Sequence, residues 1–386
     1  MVFDADALMA QAVAATGLDD FGPADFLDGL HAYCASLSDE ADLSELGTAA
    51  VGGSIVSSLA NRLRVVDWAT HHPEVTDEAI DAPIVVIGMF RAGTTLLSYL
   101  LDQDPANRPL LGWEAADSVP PPGPATLRRG PRVDAARQRA ALLDQLNPAA
   151  RIVHHEEPDG PTECISVMGQ DFKSLSWEAI SNVPSYHEWL LAADHTSAYR
   201  YHRLVLQVLQ SGGARGRWAL KSPHHAIALN ALVTVYPDAR LVLLHRDPTV
   251  LCASVCSLIR TLSSTFTDAD YTSYIAAHWT GMLQESVDRI ERFRGAHPER
   301  AVLDVQYADL VGSPVGTIAR IYGALGLELA PPARAAVEAY AAAHPKGEFG
   351  THRYDLREFG LDEGELRARF APYTARYDVP EERPSA

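Results

Sequence analysis

The apolar positions change their period once along the chain, near residue 80. Before that point they recur at three- and four-residue spacings, through Phe26, Leu27, Leu30 and Tyr33 and again through Ile55, Leu59, Leu63 and Val66. That spacing predicts amphipathic helices. Gly17, Gly22-Pro23 and His72-Pro73 punctuate them. Residues 1–80 therefore read as a helical cap or flank, with nothing chemical in it. After residue 82 the apolar residues come in short runs: Ile84 to Ile87, then Arg217 to Leu220 (a weaker run), Leu241 to His245 and Ala301 to Val305. Unbroken runs of this length suit parallel strands covered on both faces. A helix-like segment follows each, at about 94–102, 225–236, 248–260 and 314–325. Such alternation predicts an α/β domain over residues 81–386, with a central parallel sheet between layers of helices. Residues 115–210 interrupt it as an inserted helical region that opens with the stiff loop Val119 to Pro124. Insertions between core strands often form lids or substrate-binding surfaces.

Composition narrows the function by exclusion. The chain has 386 residues and a formal net charge of −18. That balance argues against nucleic acid, which requires a basic footprint. It also argues against a polyanionic substrate or an anionic membrane surface. Cys34, Cys164, Cys252 and Cys256 make no metal-ligand spacing, and Cys252 and Cys256, one helical turn apart, read as small buried hydrophobes. Asp4 and Asp6 stand where a signal peptide would be basic, and no apolar run approaches the roughly 20 residues of a membrane span. A soluble cytoplasmic protein is the expectation.

The strongest chemical signal is Gly88-Met89-Phe90-Arg91-Ala92-Gly93-Thr94-Thr95, set between a strand and a helix. A glycine-bearing loop there turns backbone N–H groups toward one point, and the helix behind adds roughly half a positive charge. Together they cradle a phosphate or a sulfate. The two glycines are spaced as in nucleoside triphosphatases, but Thr94 stands where those enzymes have lysine, and the cation is Arg91, inside the loop. A cation moved forward suits one 5′-phosphate with a sulfate beyond it.

Arg91-Ala92-Gly93-Thr94-Thr95 resembles the 5′-phosphosulfate loop of sulfotransferases that use 3′-phosphoadenosine 5′-phosphosulfate (PAPS): a basic residue, a small one, then Gly-Thr-Thr. Arginine in first place is similar to the tyrosylprotein sulfotransferases and many bacterial members. Three further segments match in order. Arg246, in Leu244-His245-Arg246-Asp247-Pro248, is followed eight residues later by Ser254. The resemblance implies that this pair holds the 3′-phosphate, Arg246 by charge-assisted bonds and Ser254 as a neutral donor. Gln306-Tyr307-Ala308-Asp309-Leu310 resembles an element whose tyrosine lies near the adenine. Lys346-Gly347-Glu348-Phe349-Gly350 resembles the element that closes over the 3′-phosphate, with Pro345 in place of the usual preceding arginine. The resemblance covers about residues 83–361. It implies a P-loop-like three-layer fold, PAPS as donor, 3′-phosphoadenosine 5′-phosphate (PAP) as product, and no required metal. Gly88, Ala92, Gly93, Thr94 and Thr95 are the expected cradle.

Sulfuryl transfer requires an oxygen in line with the sulfur, a base, and cations on the developing charge. Arg91 is expected to stabilise the bridging oxygen. Lys221 precedes Arg246 by 25 residues, close to the family spacing for a lysine on the transferred group. Two groups compete as base. Glu114 lies where tyrosylprotein sulfotransferases carry a glutamate, and His224, three residues past Lys221, lies near the histidine of the cytosolic enzymes; Glu114 is slightly preferred. His154-His155-Glu156-Glu157-Pro158-Asp159 invites a metal, but adjacent residues in a loop seldom converge on one ion. With Glu163, Phe172, Trp177, Tyr186 and Trp189, that region instead reads as the border of an acceptor pocket, although each aromatic alone is more often core. The acceptor is expected to be a neutral or lipid-like hydroxyl compound. The alternatives are an ATP-dependent P-loop kinase and a non-catalytic PAP(S)-binding protein.

Overall fold

The computed structural model describes residues 2–149, 156–344 and 355–382. Five strands form one sheet in the order β2-β3-β1-β4-β5. They are β1 (Ile84–Gly88), β2 (Asn107–Pro109), β3 (Arg217–Lys221), β4 (Arg240–His245) and β5 (Val302–Gln306). Every pairing is parallel. Four strands lie where the apolar runs put them. The fifth, β2, has no apolar run, and it pairs only with β3 at the sheet's edge, the position in a sheet that tolerates proline.

Helices flank the sheet as the alternation predicts, including Thr94–Leu101, Leu229–Val235, Pro248–Ser263 and Pro314–Ala324. Asp247 caps the third of these by accepting the Thr249 N–H, and Pro248 takes its first position. The register sets β1 and its neighbours level: Val86 faces both Lys221 and Val242, and Gly88 faces Leu244. The carboxyl ends of β3, β1, β4 and β5 thus lie side by side, where parallel α/β sheets bind their ligands.

The first eighty residues are helical, in Ala5–Thr16, Phe26–Glu40 and Glu45–His71. They share one apolar core with the rest, running from Ala5 to Val379. Their partner is the inserted region. Tyr33 packs on Trp177 with centroids 4.8 Å apart and hydrogen-bonds Ser181 at 2.9 Å. Arg62 pairs with Asp171 at 3.1 Å, both side chains almost fully buried. At Gly29 a Cβ would lie 2.5 Å from the Phe172 carbonyl oxygen, so only glycine allows this approach. Phe172, Trp177 and Tyr186 are therefore core residues of this junction rather than the border of a pocket. All four cysteines are buried and free. Among the described residues no helix is long and apolar enough to cross a membrane.

Candidate active site

The loop after β1 brings its own strain to the site. Arg91 has φ +70° and Gly93 φ +101°, so the backbone passes twice through the left-handed region and its amides turn inward. A Cβ on Gly93 would meet the Tyr307 ring at 2.6 Å, which makes glycine obligatory there on two counts. Thr94 and Thr95 open the following helix, where backbone N–H groups lack intrahelical acceptors.

The side chains expected to bind the nucleotide converge on this loop. The Arg91 Nε donates to the Ser254 Oγ at 3.2 Å, from the helix after β4. The Arg246 Nη1 donates to the Arg91 carbonyl at 3.0 Å, and its guanidinium lies 4.0 Å from the Tyr307 ring centroid. The remaining Arg246 nitrogens form a two-pronged pair with Glu382: Nε to Oε1 at 2.8 Å and Nη2 to Oε2 at 2.9 Å. The Glu382 amide is itself fixed to the Asp247 carboxylate at 2.8 Å. Nothing in the sequence pattern around residue 380 pointed to this contact.

Lys221 ends β3 and is 1% exposed. Its ammonium donates to Thr95 Oγ1 at 3.2 Å, to Glu156 at 2.6 Å and to Glu163 at 3.1 Å. Burial alone would lower its pKa, but the two carboxylates outweigh that and hold it well above the ordinary lysine value. Lys221 is charged at any working pH. Glu156 belongs to the segment considered above for a metal; here it is a partner of Lys221, and His154 and His155 lie outside the described residues. So do Lys346 and Gly347.

A cleft of about 280 Å³ opens over these groups. Arg91, Thr95, Glu163, Arg246 and Tyr307 form its polar side; Phe90, Leu96, Ile165, Leu258, Ile259 and Leu262 form its apolar side. Larger grooves of about 490 and 540 Å³ lie elsewhere, along Arg289 and Phe293 and under the amino ends of β4 and β5. Neither contains a residue of the sequence motifs, so chemistry rather than size identifies the site.

Neither residue expected as base lines this cleft. Glu114 is fully buried and grips Arg108 with both oxygens, one contact being Nη1 to Oε2 at 2.8 Å, while also accepting the Leu111 N–H at 3.2 Å. That is the work of a helix-start ion pair. His224 is also fully buried, and its neighbours fix its tautomer. His195 Nε2 must donate to the Leu190 carbonyl at 3.0 Å, so His195 Nδ1 is an acceptor and His224 Nε2 donates to it at 3.1 Å. His224 Nδ1 then accepts the Leu175 N–H at 3.4 Å. No lone pair remains for a substrate proton. Burial also drives the His224 pKa well below the ordinary value, with His195 adding to it. The sequence signals for both residues were matters of spacing, which carries no information about what a side chain touches.

With this geometry established, comparison with known proteins is decisive. Residues 83–331 match the sulfotransferase family. The chain belongs to that family. Among solved sulfotransferases, STF9 from Mycobacterium avium is 34% identical, covers 100% of this chain and 99% of its own, and superposes with a TM-score of 0.91. STF1 from Mycobacterium tuberculosis is 33% identical over 96% of this chain and 99% of its own, with a TM-score of 0.85. Both support the P-loop-like α/β fold for this sulfotransferase. Among curated proteins, the omega-hydroxy-beta-dihydromenaquinone-9 sulfotransferase Stf3 of Mycobacterium tuberculosis is 25% identical over 263 residues. The match spans 64% of this chain but only 63% of that relative, and the same enzyme of Mycobacterium bovis aligns equally.

Proposed function

We propose that this sulfotransferase moves a sulfuryl group from PAPS to the hydroxyl of a lipid-like or other neutral small molecule. One observation carries the reading: Arg91, Lys221 and Arg246, from three adjacent strand ends, gather beside a cleft whose other wall is apolar. The cations suit the donor's anionic groups, and the apolar wall suits an uncharged acceptor. The name of the Stf3 relatives, which act on a hydroxylated menaquinone derivative, points the same way.

The residues fit a phosphosulfate donor. The loop amides and Thr95 would hold its 5′ end, Arg246 and Ser254 its 3′-phosphate, and Tyr307 would lie beside the base; Lys346 and Gly347 are assigned to the 3′ end on family resemblance. The donor supplies a sulfuryl group on an activated phosphosulfate bond. Glu163 takes the acceptor's proton, being the one carboxylate that lines the cleft among the described residues. The acceptor oxygen bonds to sulfur as the bond from sulfur to the bridging oxygen breaks. Arg91 and Lys221 stabilise the electron pair left on that oxygen. A preorganised donor of this kind is worth about 3–4 kcal/mol in the transition state. Thr95, Glu156 and Glu163 together take all three N–H donors of Lys221, so its contact with the bridging oxygen would replace one of these bonds.

Calorimetric titration with PAP, ATP and 5′-AMP, with and without Mg²⁺, tests the donor. Metal-independent binding of PAP, lost in Arg246→Ala, is the expected result. Preference for ATP with Mg²⁺ would replace the reading with a kinase. Tight PAP binding without transfer to any hydroxylated acceptor would leave a nucleotide-binding protein.

A further inference from the structure

Beside the cleft but outside its lining, three ligating side chains from separate elements meet at one point. Glu178 follows the buried Trp177, His187 lies on the helix Pro184–Ala192, and His278 lies on the helix Thr272–Ala296. A single carboxylate oxygen, Glu178 Oε2, accepts from His187 Nδ1 at 2.8 Å and from His278 Nε2 at 2.9 Å. Its sibling Oε1 is buried with no hydrogen-bond partner. The side chains are 2%, 16% and 7% exposed in that order. Two donors thus crowd one oxygen while an equally buried one has none. As hydrogen bonding alone this is a poor arrangement, because an unsatisfied buried carboxylate oxygen is costly.

We propose that Glu178, His187 and His278 form a zinc-binding site. A divalent ion between them would replace the two N–H protons and use the nitrogen lone pairs together with the carboxylate. Two imidazoles and one carboxylate are a zinc donor set, whereas calcium and magnesium require oxygen ligands throughout. Zinc bonds of about 2.0–2.2 Å require the nitrogens to draw back from Oε2 by about half an ångström. His187, the most exposed of the three, gives solvent a route to the fourth position. The outer shell is present as well: the Tyr274 hydroxyl lies 3.1 Å from His278 Nδ1, where it would orient the ring and fix its tautomer.

The ion would clip two parts of the fold together. It joins the inserted region to the long helix Thr272–Ala296, and Ala179, next to Glu178, lines the cleft. The site stands whether or not the transfer reading does, since its test does not involve sulfuryl transfer. Protein stripped with chelator and dialysed is titrated with zinc chloride by calorimetry, and cobalt(II) is added to a second sample. The expected result is one equivalent of zinc per chain and the visible absorption of four-coordinate cobalt. Affinity falls at least 100-fold in the near-isosteric Glu178→Gln and in His187→Ala, the latter at a partly exposed position that can change without unfolding the chain. Tyr274→Phe weakens binding about 10- to 100-fold. Absence of saturable zinc binding, or undiminished binding by His187→Ala with its circular dichroism unchanged, would overturn the site.

Discussion

Glu382 occupies the guanidinium that the 3′-phosphate is proposed to use. Both nitrogens it engages, at 2.8 and 2.9 Å, are groups a phosphate would claim. PAP binding then includes the cost of parting this pair. The Arg246 and Glu382 side chains are 13% and 29% exposed, so the pair is neither deeply buried nor freely solvated. Exposed pairs contribute about 0–1 kcal/mol, and the two-pronged geometry sets this one near the upper end, about 1 kcal/mol. Glu382→Gln keeps the shape and removes the charge. It should therefore tighten PAP binding about fivefold, given tenfold per 1.4 kcal/mol, and leave 5′-AMP, which lacks the 3′-phosphate, unchanged. Calorimetry with both nucleotides at fixed ionic strength reads the difference. If the variant binds PAP no better than the parent, or gains equally for 5′-AMP, Glu382 does not compete with the 3′-phosphate and Arg246 loses its assigned role.

Four further predictions address the site and the buried histidines. Glu163→Gln should lower turnover about 10²–10⁴-fold with PAP binding retained. Glu114→Gln should instead lower stability by about 3–5 kcal/mol through its severed partner Arg108, as denaturant unfolding would show; the reverse pattern returns the base to Glu114. Gly93→Ala should abolish PAP binding, because its Cβ would press on Tyr307 at 2.6 Å in a conformation that suits only glycine; an unchanged dissociation constant would refute the loop's role. Stability should fall as pH drops below about 6.5. Burial lowers His195 to about 4 and His202 and His225 to about 3, so the unfolded chain takes up protons first. Each histidine then subtracts about 1.4 kcal/mol per pH unit from its unfolded pKa down to its folded one. A denaturation midpoint that stays flat between pH 6.5 and 5 would contradict their buried, neutral state.

The legible parts of this molecule are those fixed by local chemistry. Apolar runs gave β1, β3 and β4 because strands buried on both faces need them, and β5 because an edge strand still turns Val305 into the core. The loop from Gly88 to Thr95 was readable because so tight a turn from strand to helix requires glycine at set offsets. Arg91, Ser254, Arg246 and Tyr307 meet as the ordered motifs implied. What stayed hidden depends on pairings distant in sequence. Asn107–Pro109 carries no strand signal, yet β3 recruits it. Glu114 and His224 have the spacing of a base but face Arg108 and His195 instead. Glu156 and Glu382 gave no sign of their cation partners, since a surface glutamate and a ligand to a buried lysine look alike in a sequence.

The order of the strands also constrains how the chain can fold. The central strand, β1, is synthesised first, yet its two neighbours begin only at residues 217 and 240, and β5 at residue 302. While the chain emerges from the ribosome, Ile84 to Gly88 has no strand to pair with until β3 has been made, beginning at residue 217. An unpaired, wholly apolar strand is an aggregation hazard during that interval. Non-local pairing of this kind also slows folding. The cleft proposed to take the donor cannot form in a partly folded chain, because its cations come from β3, β4 and the loop after β1 together. A nucleotide that binds there stabilises only the completed sheet. Adding PAP during refolding should raise the final yield while leaving the earliest collapse unaffected.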